Sequence, residues 1–206
     1  TEYDLRCYEK FFYLDTKPED IVSRMRNSEG DKKNTSITAE AVFAWQNFEI
    51  DEMTKDLFEA DKELHIVRFD NDFCLEYIFD TVTSTKYDSK VIADQMLAGV
   101  ELTCSTIILT DCDKTLSVED STNIALDYIG ASKKPLKDIF GGDRYSNYQM
   151  MLANRYYASI QAFTNDSLAV VRDTISINTG IIEDLKSKVN VNILAISAGN
   201  SDIWKG

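Results

Sequence analysis

Hydrophobic positions along the first hundred residues recur mainly at helical spacing. Over 37–48, ITAEAVFAWQNF, Ala41, Trp45 and Phe48 fall at i, i+4 and i+7, one face of a helix. Thr35 or Ser36 stands where it can cap that helix, with Glu40 in its first turn. The pattern predicts a second helix over 51–64 and another over 89–102, where Val91, Met96, Leu97 and Val100 are apolar. Residues 73–78 fit a helix or a strand, and the polar stretch GDKKN at 30–34 reads as a loop. Little here alternates as a half-buried strand does. Residues 1–102 are therefore expected to form a mainly helical module, with its aromatic side chains, Trp45 among them, in the core.

From residue 103 the rhythm changes. STIILT at 105–110 is a short β-branched run, which suits a strand of a parallel sheet buried on both faces. A helix is predicted over 118–129, closed by Gly130. Residues 133–140 are polar and mixed, and Gly141-Gly142 follows. Helices are predicted over 145–163, 168–175 and 179–188, the last with Ile181, Ile182 and Leu185 on one face. VNILAI at 191–196 repeats the buried-strand pattern and stops at Ser197-Ala198-Gly199-Asn200. Strand, helices, strand is the alternation of a parallel α/β sheet. The two strands are expected side by side, with 118–188 as a helical cap beside them.

Composition narrows the class. The chain has 206 residues, 44% hydrophobic and 28% charged, enough to fill a core and hold one α/β domain with an added module. Lys and Arg number 22 against 35 Asp and Glu, a net charge of −13, which repels a phosphate backbone; nucleic acid is not an expected partner. No apolar run approaches the ~20 residues that span a bilayer, so no membrane partner is expected. The opening TEYDLRCYEK has no basic stretch followed by an apolar one, and a cytoplasmic protein is expected. Cysteines at 7, 74, 104 and 112 form no CxxC pair, and His65 is the single histidine. That argues against a zinc site and for reduced thiols, although the even count permits two disulfides. His65 lies within ELHIV at 63–67, which reads as a strand or helix edge, and is expected to be structural.

Both strands of the second half end in residues that bind or react. Ligands of open parallel sheets sit beyond the carboxyl ends of the strands. Asp111 and Asp113 follow the first strand two residues apart, so an extended backbone aims both the same way. Two close carboxylates repel, and a hard divalent cation such as Mg²⁺ relieves the repulsion. Ser197 ends the second strand, with Gly199 freeing backbone amides for phosphate oxygens.

These residues resemble the haloacid dehalogenase (HAD) superfamily. IILTDCDKTL at 107–116 resembles its first motif, a hydrophobic strand running into Asp-x-Asp-x-Thr, and ILAISAG at 193–199 resembles its second. The stretch between is similar to the helical cap of the phosphoserine phosphatase-like branch: Phe140-Gly141-Gly142, then Tyr148 and Arg155 seven residues apart, then TGIIEDL at 179–185. The resemblance covers 103–206. It implies a Rossmann-like parallel sheet with a helical cap and Mg²⁺-dependent hydrolysis of a small phosphorylated substrate. Asp111 is then the nucleophile that forms an aspartyl-phosphate, and Asp113 the acid and base. Asp111 and the backbone carbonyl of Asp113 hold Mg²⁺. Ser197 and Gly199 hold the phosphoryl group, Arg155 meets an anionic substrate group, and Asp120 stands where relatives carry a substrate-contacting Glu.

The family's third motif, a Lys, and its fourth, an acidic strand end, have no match after Ser197, and Lys205 is too near to serve. A fragment of a longer protein, or a chain completed by another, is expected, binding Mg²⁺ weakly by itself. The alternative expectation is a HAD-derived binding or interaction module without turnover. Tyr148 and the pair Tyr156-Tyr157 are expected to pack rather than to touch substrate.

Overall fold

The computed structural model describes residues 8–27, 36–69, 72–86, 88–141, 144–188, 190–197 and 200–204. In chain order their elements are β1 (Phe11–Asp15), α1 (Pro18–Asn27), α2 (Ala39–Glu59), β2 (Leu64–Arg68), α3 (Phe73–Thr83), α4 (Ser89–Leu97), β3 (Ile107–Thr110), α5 (Ser121–Tyr128), α6 (Lys134–Phe140), α7 (Asn147–Ser159), α8 (Asn165–Thr174), α9 (Thr179–Lys188), β4 (Asn192–Ala195) and α10 (Ser201–Trp204). The protein is mixed α/β, predominantly helical, with two small parallel sheets. It divides into two compact units. One holds the described residues up to Met96 together with Tyr145–Tyr148, the other the rest from Leu97. Among the described residues no helix is long and apolar enough to cross a membrane.

The first unit is mainly helical, but it also carries a strand pair; the pattern predicted no strand at 11–15, while 63–67, open between a strand and a helix edge, falls in strand β2 from Leu64 on. β1 and β2 run parallel, Phe11 opposite Leu64 through Asp15 opposite Arg68. FFYLD is four apolar residues without alternation, ending in an aspartate, which periodicity alone cannot assign. In β2, His65 and Val67 are buried between half-buried neighbours, the alternation of a strand. The helix predicted over 51–64 therefore ends before it. α2 unites the helical stretches predicted on either side of residue 50 and runs to Glu59. Its cap is Thr38, whose side chain accepts the Ala41 N–H at 3.2 Å, rather than Thr35 or Ser36.

The buried face of α2 also differs from expectation. It is Val42, Gln46, Ile50 and Leu57, while Trp45 is 56% and Phe48 64% exposed. The two faces start one residue apart on a helix of 3.6 residues per turn, so apolar spacing alone did not separate them. On the buried face the Gln46 amide N–H donates to the Thr16 carbonyl at 2.9 Å, while its Oε1 is buried without a hydrogen-bond partner among the described residues. His65 is structural as expected. It stacks on Phe12, ring centroids 5.3 Å apart, and its Nδ1 lies 3.2 Å from the Tyr77 hydroxyl. Tyr77 meets Phe73 and Tyr148 edge-on, and Tyr148 is fully buried in packing.

The second unit holds β4 and β3, whose Ile107 and Leu109 are exposed rather than buried on both faces as its apolar run suggests, because the core of the unit forms between helices. The two strands pair in parallel, Ile107 opposite Asn192 through Thr110 opposite Ala195, the adjacency expected from the two apolar runs. The Thr110 carbonyl extends the ladder by accepting the Ile196 N–H at 2.8 Å. A core of Ala125, Leu168, Val171 and Ile203 joins α5, α8 and α10, with Ile124, Phe163 and Trp204 packed against it. The chain leaving β4 is thus anchored within a few residues of the strand end. α5 stops before Gly130, whose φ of +67° is a left-handed conformation that glycine adopts without strain. The polar stretch after it still forms α6, with Pro135 in the first turn where its missing N–H costs nothing. Cys74, Cys104 and Cys112 are free thiols, and Cys7 lies outside the described residues.

Candidate functional site

The loop leaving β3 is held from several sides. Asp111 is extended (φ −78°, ψ 161°), and its Oδ1 accepts the Cys112 N–H at 2.8 Å. Cys112–Leu116 then forms one wide turn, closed where the Ser117 N–H donates to the Cys112 carbonyl at 3.0 Å. Inside it Lys114 adopts φ +60°, a left-handed conformation that costs a side-chain-bearing residue about 1 kcal/mol or more. The surroundings hold it there. The Lys114 N–H reaches the Glu119 carbonyl at 3.4 Å, and its ammonium lies 3.3 Å from Asp120. The Ser117 hydroxyl donates to the Glu119 carbonyl at 2.7 Å, and Ser117 pairs with Ile177 in an antiparallel bridge. The Glu119 carboxylate accepts the Ser176 N–H at 2.7 Å, and that bond holds its carboxyl below the usual range.

Asp113 is fastened to the start of α5. Its Oδ1 accepts the Ser121 backbone N–H at 2.8 Å and its Oδ2 accepts the Ser121 hydroxyl at 3.0 Å. Both bonds are charge-assisted, and one satisfies an N–H that the first turn of a helix leaves without an internal partner. Asp111, by contrast, is exposed. Cys112 between them is buried. Burial pushes its thiol up, opposed by a hydrogen bond with Ser197, while the carboxylates of Asp111 and Asp113 add to the upward shift. The pairing of Thr110 with Ala195 sets Ser197, two residues on, beside Cys112, two residues beyond Thr110. Asp111, Asp113 and Ser197 therefore lie at the ends of two paired strands.

The remaining candidates divide. Asp120 is the N-cap of α5, accepting the Asn123 N–H at 2.9 Å, besides its ion pair with Lys114. Both duties are local and neither involves a ligand. Arg155 is exposed on α7, outside the two strand-end loops. Gly199 lies outside the described residues. Sequence reasoning missed Ser121 and Lys114. An Asp-Ser pair opening a helix was a visible capping signal, but nothing local marks Ser121 as the partner of a carboxylate eight residues earlier.

Among the described residues no three Asp, Glu, His or Cys side chains converge as a ready cation site. Two donors nevertheless suit Mg²⁺ in kind, the exposed Asp111 carboxylate and the Asp113 backbone carbonyl, both hard oxygens. The Asp113 side chain is committed to Ser121. Comparison with protein-family models, curated proteins and solved structures finds no match to this chain.

Proposed function

We propose that this chain is a HAD-type, phosphoserine phosphatase-like hydrolase of a small phosphorylated metabolite, dependent on Mg²⁺ and working through an aspartyl-phosphate. The observation that carries the reading is the meeting of two adjacent parallel strands, β3 running into Asp111 and Asp113 and β4 into Ser197. In a HAD-type core these would be central strands, with α5 to α9 as the cap.

The chemistry follows from the roles each group can take. An Asp111 oxygen attacks phosphorus and the bond to the substrate alcohol breaks. Asp113, released from Ser121 and carrying a proton taken up from solvent, delivers that proton to the departing alkoxide, then accepts one from the water that releases inorganic phosphate and restores Asp111. Proton transfer requires Asp113 to exchange its bonds with Ser121 for the reacting oxygens. The Ser197 hydroxyl is a donor for the transferred phosphoryl oxygens. The Asp111 carboxylate and the Asp113 carbonyl would hold Mg²⁺, which would compensate the charge of the phosphoryl group.

A second reading, a non-catalytic binding module of the same descent, is favoured by one observation: both Asp113 oxygens are occupied by Ser121. Steady-state hydrolysis of p-nitrophenyl phosphate by the full-length protein with Mg²⁺ separates the two. Asp111→Asn abolishes turnover, because an amide does not attack phosphorus. Asp113→Asn slows alkyl phosphates more than p-nitrophenyl phosphate, whose leaving group needs no proton. Equal rates for wild type and Asp111→Asn would end the enzyme reading.

A further inference from the structure

We infer that a cavity of the second unit receives the alcohol half of the substrate, and that it selects a neutral polyhydroxylated alcohol such as a sugar over a charged one such as serine. This deepens the phosphatase reading and rests on it. The cavity measures about 290 Å³ and is lined by Thr122, Asn154, Tyr157, Gln161, Phe163 and Asn200, with two alanines between. That is room for one ring-sized group, at the small end of ligand sites.

Two of the lining residues are tied to the strand-end site by the chain itself. Thr122 follows Ser121, which holds both oxygens of Asp113. Asn200 lies three residues beyond Ser197, so their Cα atoms are at most about 11 Å apart. Thr122 is thus one residue from the group that holds Asp113, and Asn200 is close along the chain to Ser197.

Its chemistry defines the ligand. The described lining holds no charged side chain. Asn154, Gln161 and Asn200 are carboxamides and Thr122 a hydroxyl, groups that both donate and accept, as the hydroxyls of a sugar do. Asn200 is already oriented, since its Oδ1 accepts the Asp202 N–H at 2.8 Å and its amide N–H groups take no part in that bond. Tyr157 and Phe163 meet edge to face with centroids 5.2 Å apart and give the cavity an aromatic wall for the C–H face of a ring. An amino-acid ammonium or carboxylate placed here would lose water without gaining a counter-charge. Arg155, the residue that the resemblance assigns to an anionic group, is not part of this lining.

Calorimetric titration of the full chain with glucose 6-phosphate, phosphoserine and inorganic phosphate tests the inference. Wild type is compared with the double variant Asn154→Leu/Gln161→Ser, both sites being exposed; the polar replacement at 161 is chosen because Gln161 sits at φ +51°, and inorganic phosphate binding reports that the variant is folded. Glucose 6-phosphate should bind wild type more tightly than phosphoserine. The double variant should weaken it about tenfold, the loss of two neutral hydrogen bonds, and leave inorganic phosphate unchanged. Phosphoserine binding as tightly as the sugar phosphate, or sugar-phosphate affinity indifferent to the double variant, would overturn the inference. Hydrolysis of p-nitrophenyl phosphate reports separately. Sugar-phosphate binding that depends on Asn154 and Gln161, with no hydrolysis, would keep the pocket and remove the phosphatase reading.

Discussion

Replacing Ser121 by Ala removes the hydroxyl that donates to Asp113 Oδ2 at 3.0 Å and leaves the backbone N–H on Oδ1 at 2.8 Å. Ser121 is fully buried and Asp113 half-buried. A hydrogen bond to an ionised group is worth about 1.5–3 kcal/mol, and water reaching the exposed side of Asp113 offsets part of its loss. The expected cost of Ser121→Ala is therefore near the lower bound, about 1.5 kcal/mol. Asp113→Ala removes both bonds and leaves the first N–H of α5 without its acceptor, costing about 2–3 kcal/mol. The two changes break one shared contact, so the double variant should fall short of their sum by about 1–1.5 kcal/mol. Urea unfolding followed by Trp204 fluorescence measures this in a Trp45→Phe background. Trp204 packs against the core of the second unit, and Trp45, the other of the chain's two tryptophans, is exposed. Additivity within about 0.3 kcal/mol would show that Ser121 and Asp113 do not hold each other in solution, and the site geometry would fall with it.

Burial holds His65 below its ordinary range, so falling pH protonates the unfolded chain first. Stability should decline below about pH 6.5 by up to about 1.4 kcal/mol per pH unit relative to His65→Gln, and parallel pH profiles of the two proteins in urea would refute this. Trp45→Gln should change stability by less than about 0.5 kcal/mol, whereas Ile50→Ala, on the buried face of α2, should cost about 2–4 kcal/mol; the same urea titrations decide. Burial raises the Cys112 thiol, so mass-mapped alkylation at neutral pH should modify the more exposed Cys104 well before it, and equal rates would contradict the packing around the loop.

Local chemistry settled a good deal of this protein without any structure. The apolar runs at 105–110 and 191–196 named β3 and β4, and their polar ends marked where a ligand site would lie. Helices α5, α7, α8 and α9 followed from apolar spacing, within a few residues at each end. His65 was identified as structural because it sits within an apolar stretch and has no histidine or paired cysteine beside it. These features depend on residues close in sequence, so spacing and capping carry them.

What depends on partners far along the chain was decided only by the tertiary structure. β1 and β2 are five residues each, and the pairing that makes them strands joins positions some fifty residues apart. The burial of Val42 and Gln46 in place of Trp45 is settled by what α2 packs on, including a carbonyl at Thr16. At the site, the sequence placed Asp111 and Asp113 together. The fold gave them different surroundings, with Asp111 exposed and Asp113 bonded to Ser121 at the start of the next helix. By pairing β3 with β4 it also set Ser197 beside Cys112, 85 residues earlier in the chain. A pattern of residue types specifies which local conformations are cheap; which surfaces meet, and so which polar groups find partners, is fixed by packing the whole chain.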